Sequence, residues 1–64
     1  MSITLRAARI NAGYTQRKAA ELLDIRVDTL GNYERGKTFP SVPIITKIEE
    51  LYHVKYSDID FLRS

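Results

Sequence analysis

Sixty-four residues, 44% of them apolar and 28% charged, suit one small folded domain spanning 1–64 and argue against a disordered chain. There is no cysteine, so neither a disulfide framework nor a thiolate zinc site can staple the fold. Stability must then come from one apolar core, short connections and good helix caps. No apolar run approaches the roughly 20 residues of a membrane span, and residues 1–4 lack a signal-peptide pattern. A soluble, cytoplasmic protein is expected. The formal net charge of +2 is unevenly spread. Residues 1–38 carry seven Lys or Arg against four acids, a net +3, whereas residues 39–64 carry three against four, a net −1. Basic character in the first part suits a polyanionic partner, and a solvated basic face accounts for the same count.

The patterning predicts a string of short helices, with no sustained alternation and no Asn-Gly or Asp-Gly hairpin turn to mark a strand. From Ile3 to Ala12, Leu5, Ala8 and Ala12 fall on one face at helical spacing, and Gly13 stops the helix. Thr15 is an N-cap for a second helix, Gln16 to Leu23, with Ala19, Ala20, Leu22 and Leu23 as its apolar side. Its capping box is incomplete because Lys18 stands where Glu or Gln would reach back. Asp24-Ile25-Arg26 leads into a third helix, Val27 to Arg35, with Leu30 and Tyr33 inward and Gly36 closing it. Pro40 blocks continuation, Ser41 can cap a fourth helix, and Pro43 falls in its permitted first turn. Ile44, Ile45, Ile48, Leu51 and Tyr52 make a buried stripe there. A last turn near 57–62 contributes Ile59 and either Phe61 or Leu62. The expected fold class is all-α, a compact arrangement of five helices.

Two helices joined by a three-residue turn are common. The pattern from Gln16 to Arg35 is more selective. Ala20 sits where two helices cross closely, and a larger side chain would force them apart. Ala19, Leu23, Ile25, Leu30 and Tyr33 bury the pair against the rest of the chain. This is a helix-turn-helix constellation (16–35), whose second helix enters the DNA major groove.

From Leu5 to about Leu62 the chain resembles the lambda-repressor/Cro-like helix-turn-helix proteins of phages and bacteria. The resemblance is carried by Leu5 to Arg9, Gly13-Tyr14-Thr15-Gln16, Ala20 with Leu23, and Thr29-Leu30. Tyr33-Glu34-Arg35-Gly36-Lys37, Pro40-Ser41, Leu51, Val54 and Ile59 complete it. Three positions depart from the family pattern. Asp24 replaces the usual turn glycine, and Arg26 replaces the Ser or Thr cap of the recognition helix. Gly31 sits inside that helix, at a cost of about 1 kcal/mol relative to Ala.

The resemblance implies a set of DNA-facing residues, each with a plainer reading beside it. Gln16 is either a phosphate or base-adjacent contact or an ordinary solvated residue. Val27 reads as a thymine-methyl contact or as a partial core contact. Asp28 accepts from a cytosine amino group or simply favours the positive end of the helix. Asn32 matches a DNA-facing position and can pair bidentately with adenine. Arg26 and Lys37 are phosphate contacts, while Arg17 and Thr38 are either phosphate contacts or solvated surface. The resemblance also implies that Arg9 and Glu34 form an ion pair tying the first helix to the recognition helix, with a phosphate contact as a second role for Arg9. It places a dimer contact at Lys55, Tyr56 and Asp58, with Tyr56 as apolar anchor and Lys55 pairing with Asp58 across the axis.

Enzymatic chemistry finds no support. His53 is the only histidine, the serines lack a partner base, and there is no glycine-rich phosphate loop. No metal, cofactor, small-molecule ligand or membrane partner is expected. The reading is a sequence-specific transcriptional regulator of the Cro/CI repressor type, which occupies an operator on double-stranded DNA and blocks polymerase. One recognition helix reads few base pairs, so a weak homodimer on a pseudo-palindromic operator is expected. The chain ends soon after the fifth helix, so the expectation is a single-domain repressor of the Cro type. An antitoxin of a toxin–antitoxin pair with the same fold is the alternative, and a domain that kept the fold and lost DNA binding is a third.

Overall fold

Thr4 ends an extended segment and starts the first helix: at φ −71° and ψ 158° its hydroxyl oxygen accepts from the Ala7 N–H at 3.0 Å. In the computed structural model, which describes residues 2–61, β1 (Ile3–Thr4) leads into α1 (Leu5–Asn11). Then come α2 (Gln16–Leu23), α3 (Val27–Glu34), α4 (Val42–Tyr52), a 3-10 turn (Tyr56–Asp58) and β2 (Ile59–Asp60). The four α-helices replace the expected five. The last predicted helix is a 3-10 turn running into β2, which pairs in parallel with β1, Ile3 opposite Ile59 and Thr4 opposite Asp60. The expected absence of strands is therefore corrected, as is the predicted helix start at Ile3. A two-residue strand shows no alternation to read, and its partner lies at the far end of the chain.

The predicted stops are where the helices end. Gly13 has φ 88° and Gly36 φ 74°, both in the left-handed region that glycine enters without strain. Asp24, in place of the family's glycine, takes φ 59°, and the Ile25 N–H returns to the Ala20 carbonyl at 3.0 Å. Thr15 caps α2 by accepting from the Lys18 N–H at 3.1 Å. Arg26, at the N-cap of α3, makes no side-chain cap bond. Ser41 occupies the N-cap of α4 with extended backbone, but its side chain makes no cap bond either.

Leu5, Ala8, Ala19, Ala20, Leu23, Leu30, Ile48, Tyr52, Ile59 and Phe61 form the buried core. Ala19 and Ala20 let α2 approach its neighbours closely, and Leu30 docks α3 on them. Leu22 is exposed, contrary to its assignment to the apolar side of α2. Ala19, Leu23 and Ala20 cover a narrow arc of the helix, and Leu22 falls outside it. In α4, Ile48 and Tyr52 are buried, Ile44 and Leu51 pack at the margin, and Ile45 is half-buried outside the core cluster. Of the two candidates near the end, Phe61 is in the core, with Phe39 and Tyr56 against it at ring-centroid separations of 4.9 and 5.6 Å. Leu62 lies outside the described residues.

Tyr52 carries an imperfection. Its ring packs 6.3 Å from that of Tyr14, but its buried hydroxyl has no hydrogen-bond partner among the described residues. Burial, and after it the Glu34 carboxylate, pushes the phenol pKa well above its ordinary value of 10. Because the folded state holds this proton more tightly, the protein should lose stability as pH rises above about 10, where the unfolded chain releases it. Tyr52→Phe removes both the orphaned hydroxyl and the titration. At neutral pH it should leave stability unchanged or raise it by about 1 kcal/mol. In urea melts between about pH 8 and 11, the variant should show a flatter decline than the parent. A variant that loses more than about 2 kcal/mol at neutral pH would mean that the hydroxyl is satisfied in solution.

Candidate nucleic-acid interface

One buried cluster determines how α3 sits against the rest of the molecule. Arg9 Nε donates to Glu34 Oε2 at 2.7 Å, and Nη2 lies 3.4 Å from Oε1. The side chains are only 9% and 4% exposed. Arg9 Nη1 donates to the Tyr14 carbonyl at 2.9 Å, and Gln16 Nε2 donates to Glu34 Oε1 at 3.1 Å. The glutamate thus receives donors from α1 and α2 together, and the arginine also holds the loop between them. With the two charges paired, the Tyr14 carbonyl on Arg9 and the Gln16 amide on Glu34 help to offset the desolvation of the ions. The cluster is an anchor for α3. Gln16 belongs to it, a role that the sequence did not suggest.

The outer side of the α2–α3 pair is polar and basic. Arg17 and Arg26 are exposed, as are Lys37 and Thr38 beyond the end of α3. None of these three cations forms an ion pair with another described residue. Val27 and Asp28 are exposed in the first turn of α3, and Asp28 lies where a carboxylate favours the positive helix end. Asn32 is half-buried one turn further on. Its Oδ1 accepts from Arg35 Nη2 at 2.6 Å. Gly31 is buried beneath this pair: a Cβ there would stand 3.2 Å from Arg35 Nη1 and 3.7 Å from Gln16 Nε2. Gln16, Gly31, Asn32 and Arg35 are therefore brought together. Arg35 and Gly31 are the members that sequence reasoning missed. The available signal was a glycine in mid-helix four residues before an arginine, which read only as a propensity cost.

Lys55, Tyr56 and Asp58 are elsewhere, at the turn after α4. The Tyr56 N–H donates to Glu49 Oε2 at 2.7 Å, while the Tyr56 ring stays exposed. Among the described residues, no three His, Cys, Asp or Glu come together as a metal site, and no helix is long and apolar enough to cross a membrane.

The two short helices, the left-handed turn between them and the buried tie behind the second one correspond to a family model described as helix-turn-helix, which matches residues 5–59. The chain belongs to the helix-turn-helix family. Over 50 residues it is 46% identical to the HTH-type transcriptional regulator ImmR of Bacillus subtilis, covering 78% of this chain and 39% of that relative. Over 55 residues it is 36% identical to an uncharacterized HTH-type transcriptional regulator, YazB, of the same organism, covering 86% of this chain and 80% of the relative. This helix-turn-helix chain thus spans well under half the length of ImmR and most of that of YazB. Both relatives are named as transcriptional regulators and neither as an enzyme. No solved structure matches.

Proposed function

We propose that this chain, as one domain of 64 residues, binds double-stranded DNA through α2 and α3 and represses transcription by occupying an operator. The observation that carries this reading is the anchoring of α3 from behind by Glu34 and Leu30, which leaves its first turn exposed among cations that form no ion pair with another described residue. The helix-turn-helix match and the two regulators named above support it. Arg17, Arg26, Lys37 and Thr38 contact phosphates, with Gln16 beside them, while Val27, Asp28 and Asn32 face base edges. The protein acts in the cytoplasm.

Two copies bind one pseudo-palindromic operator, because a single recognition helix reads too little sequence to select a site. Tyr56, Phe39 and Val42 support a contact between copies: they remain 45%, 53% and 74% exposed, although Tyr56 and Phe39 also pack on Phe61. Lys55 and Asp58 flank Tyr56 and pair across the two-fold axis. A patch this small stays below the roughly 1,200 Å² of a stable interface, so the free protein is a monomer or weak dimer.

Selection from a random duplex pool, followed by titration and sedimentation, tests the reading. A preferred palindromic duplex should bind two protein copies, and Tyr56→Ala should weaken the second binding step. Lys37→Ala should weaken binding on all sequences alike and lower the salt slope by about 1. Failure to retain any duplex above background would overturn DNA binding, and one-to-one complexes at saturation would overturn the dimer.

A further inference from the structure

Arginine only donates hydrogen bonds, so the Asn32 atom facing Arg35 Nη2 at 2.6 Å must be the carbonyl oxygen Oδ1. That leaves Asn32 with an outward amide donor, while Arg35 keeps its other N–H groups. Arg35 caps α3 three residues beyond Asn32, and helical side chains lean toward the N-terminus, so its long stem returns over the preceding turn. Gly31 leaves this return uncrowded. The guanidinium lies where any other residue's Cβ would crowd it, at 3.2 Å. Gln16 Nε2 on the other flank is committed to Glu34. The Arg35–Asn32 pair thus offers mainly donors, the remaining N–H groups of Arg35 and the amide N–H groups of Asn32.

Base edges differ in what they offer such a surface. In the major groove guanine shows two acceptors, N7 and O6, whereas adenine pairs an acceptor with the N6 donor and cytosine shows a donor. Reading adenine through Asn32 would require Oδ1 to accept from N6 on its second lone pair while the first stays with Arg35, whereas guanine can be met by the Arg35 N–H groups alone. A planar guanidinium held in place by an amide loses less freedom on pairing than a free one.

Resting on the DNA-binding reading above, we infer that Arg35 is a specificity-determining residue that pairs with guanine. Asn32 is its positioning residue, and Gly31 leaves room for the Arg35 guanidinium. Duplex selection with the parent and four variants, each checked for folding by circular dichroism and thermal melting, tests this. The parent should select guanine at one position of each half-site. Arg35→Ala and Asn32→Ala should each reduce preference at that same position by about tenfold or more. Asn32→Asp keeps an acceptor for Arg35 but cannot donate to a base. It should retain the guanine preference while lowering affinity on every sequence, an outcome that direct reading by Asn32 does not allow. Gly31→Ala should raise the melting temperature through better helix propensity yet weaken the guanine preference. The inference is overturned if Arg35→Ala lowers affinity equally on all duplexes, which marks a phosphate contact. It is also overturned if the selected base is an adenine lost with Asn32 and kept without Arg35. If no duplex is selected at all, the DNA-binding reading falls with it.

Discussion

Glu34→Ala should remove about 3–5 kcal/mol of stability, a large part of what a domain this small has in total. The change strips the partner from an arginine whose side chain is 9% exposed, and it also releases the Gln16 amide held at 3.1 Å. The dominant cost is the buried, uncompensated guanidinium, because an exposed pair of the same geometry contributes only about 0–1 kcal/mol. Arg9→Ala should be similarly damaging, since it leaves the carboxylate buried and frees the Tyr14 carbonyl that Arg9 holds at 2.9 Å. The two losses should not add. A double-mutant cycle on urea unfolding should give a coupling of more than about 1 kcal/mol, because the second substitution removes a charge already stranded by the first. Additive effects within error would show that the pair contributes nothing as a unit.

Leu30→Ala is expected to have the next largest effect, about 2–5 kcal/mol. Leu30 has no exposed surface and is the main apolar contact of α3 with the core, so truncation leaves a cavity that the short helix cannot close by shifting. The urea midpoint should fall with the slope unchanged, the signature of lost stability without a changed unfolded state. Val27→Ala, in the exposed first turn of the same helix, is the contrasting case: stability should change by less than about 0.5 kcal/mol. A small shift for Leu30→Ala would mean that α3 is held chiefly by the Arg9–Glu34 cluster. Excess duplex should restore the folded fraction of Leu30→Ala by mass action if the folded state alone binds DNA.

Much of this architecture is written in local signals. The residues around α2 and α3 state their own boundaries: Thr15 supplies a cap oxygen, Asp24 tolerates φ 59°, and Gly36 tolerates φ 74°. The stripe at Ile44, Ile48, Leu51 and Tyr52 follows from helical spacing alone. Such features depend on residues within a turn or two of one another, so composition and order suffice to read them. The pairing of Arg9 with Glu34, 25 residues apart, is not of that kind. Here the resemblance to known repressors supplied it, and the residue types by themselves would not have done so.

What only the tertiary structure decided are the contacts between distant segments. The end of the chain closes as β2 against β1 because Ile59 finds Ile3 there; two residues of β-branched character are too short a run to mark a strand by themselves. Leu22 faces out because α2 buries only the arc that its neighbours cover, and an apolar residue just beyond that arc has nothing to pack on. Ile45, Phe39 and Tyr56 likewise depended on where α4 and the final turn came to rest. Gly31 is the sharpest case. Sequence prices it as a loss of helix propensity, while in three dimensions its missing side chain leaves uncrowded the place where the Arg35 guanidinium meets Asn32. Propensity is a property of a residue in its own segment, whereas room for a neighbour exists only once the chain has folded around it.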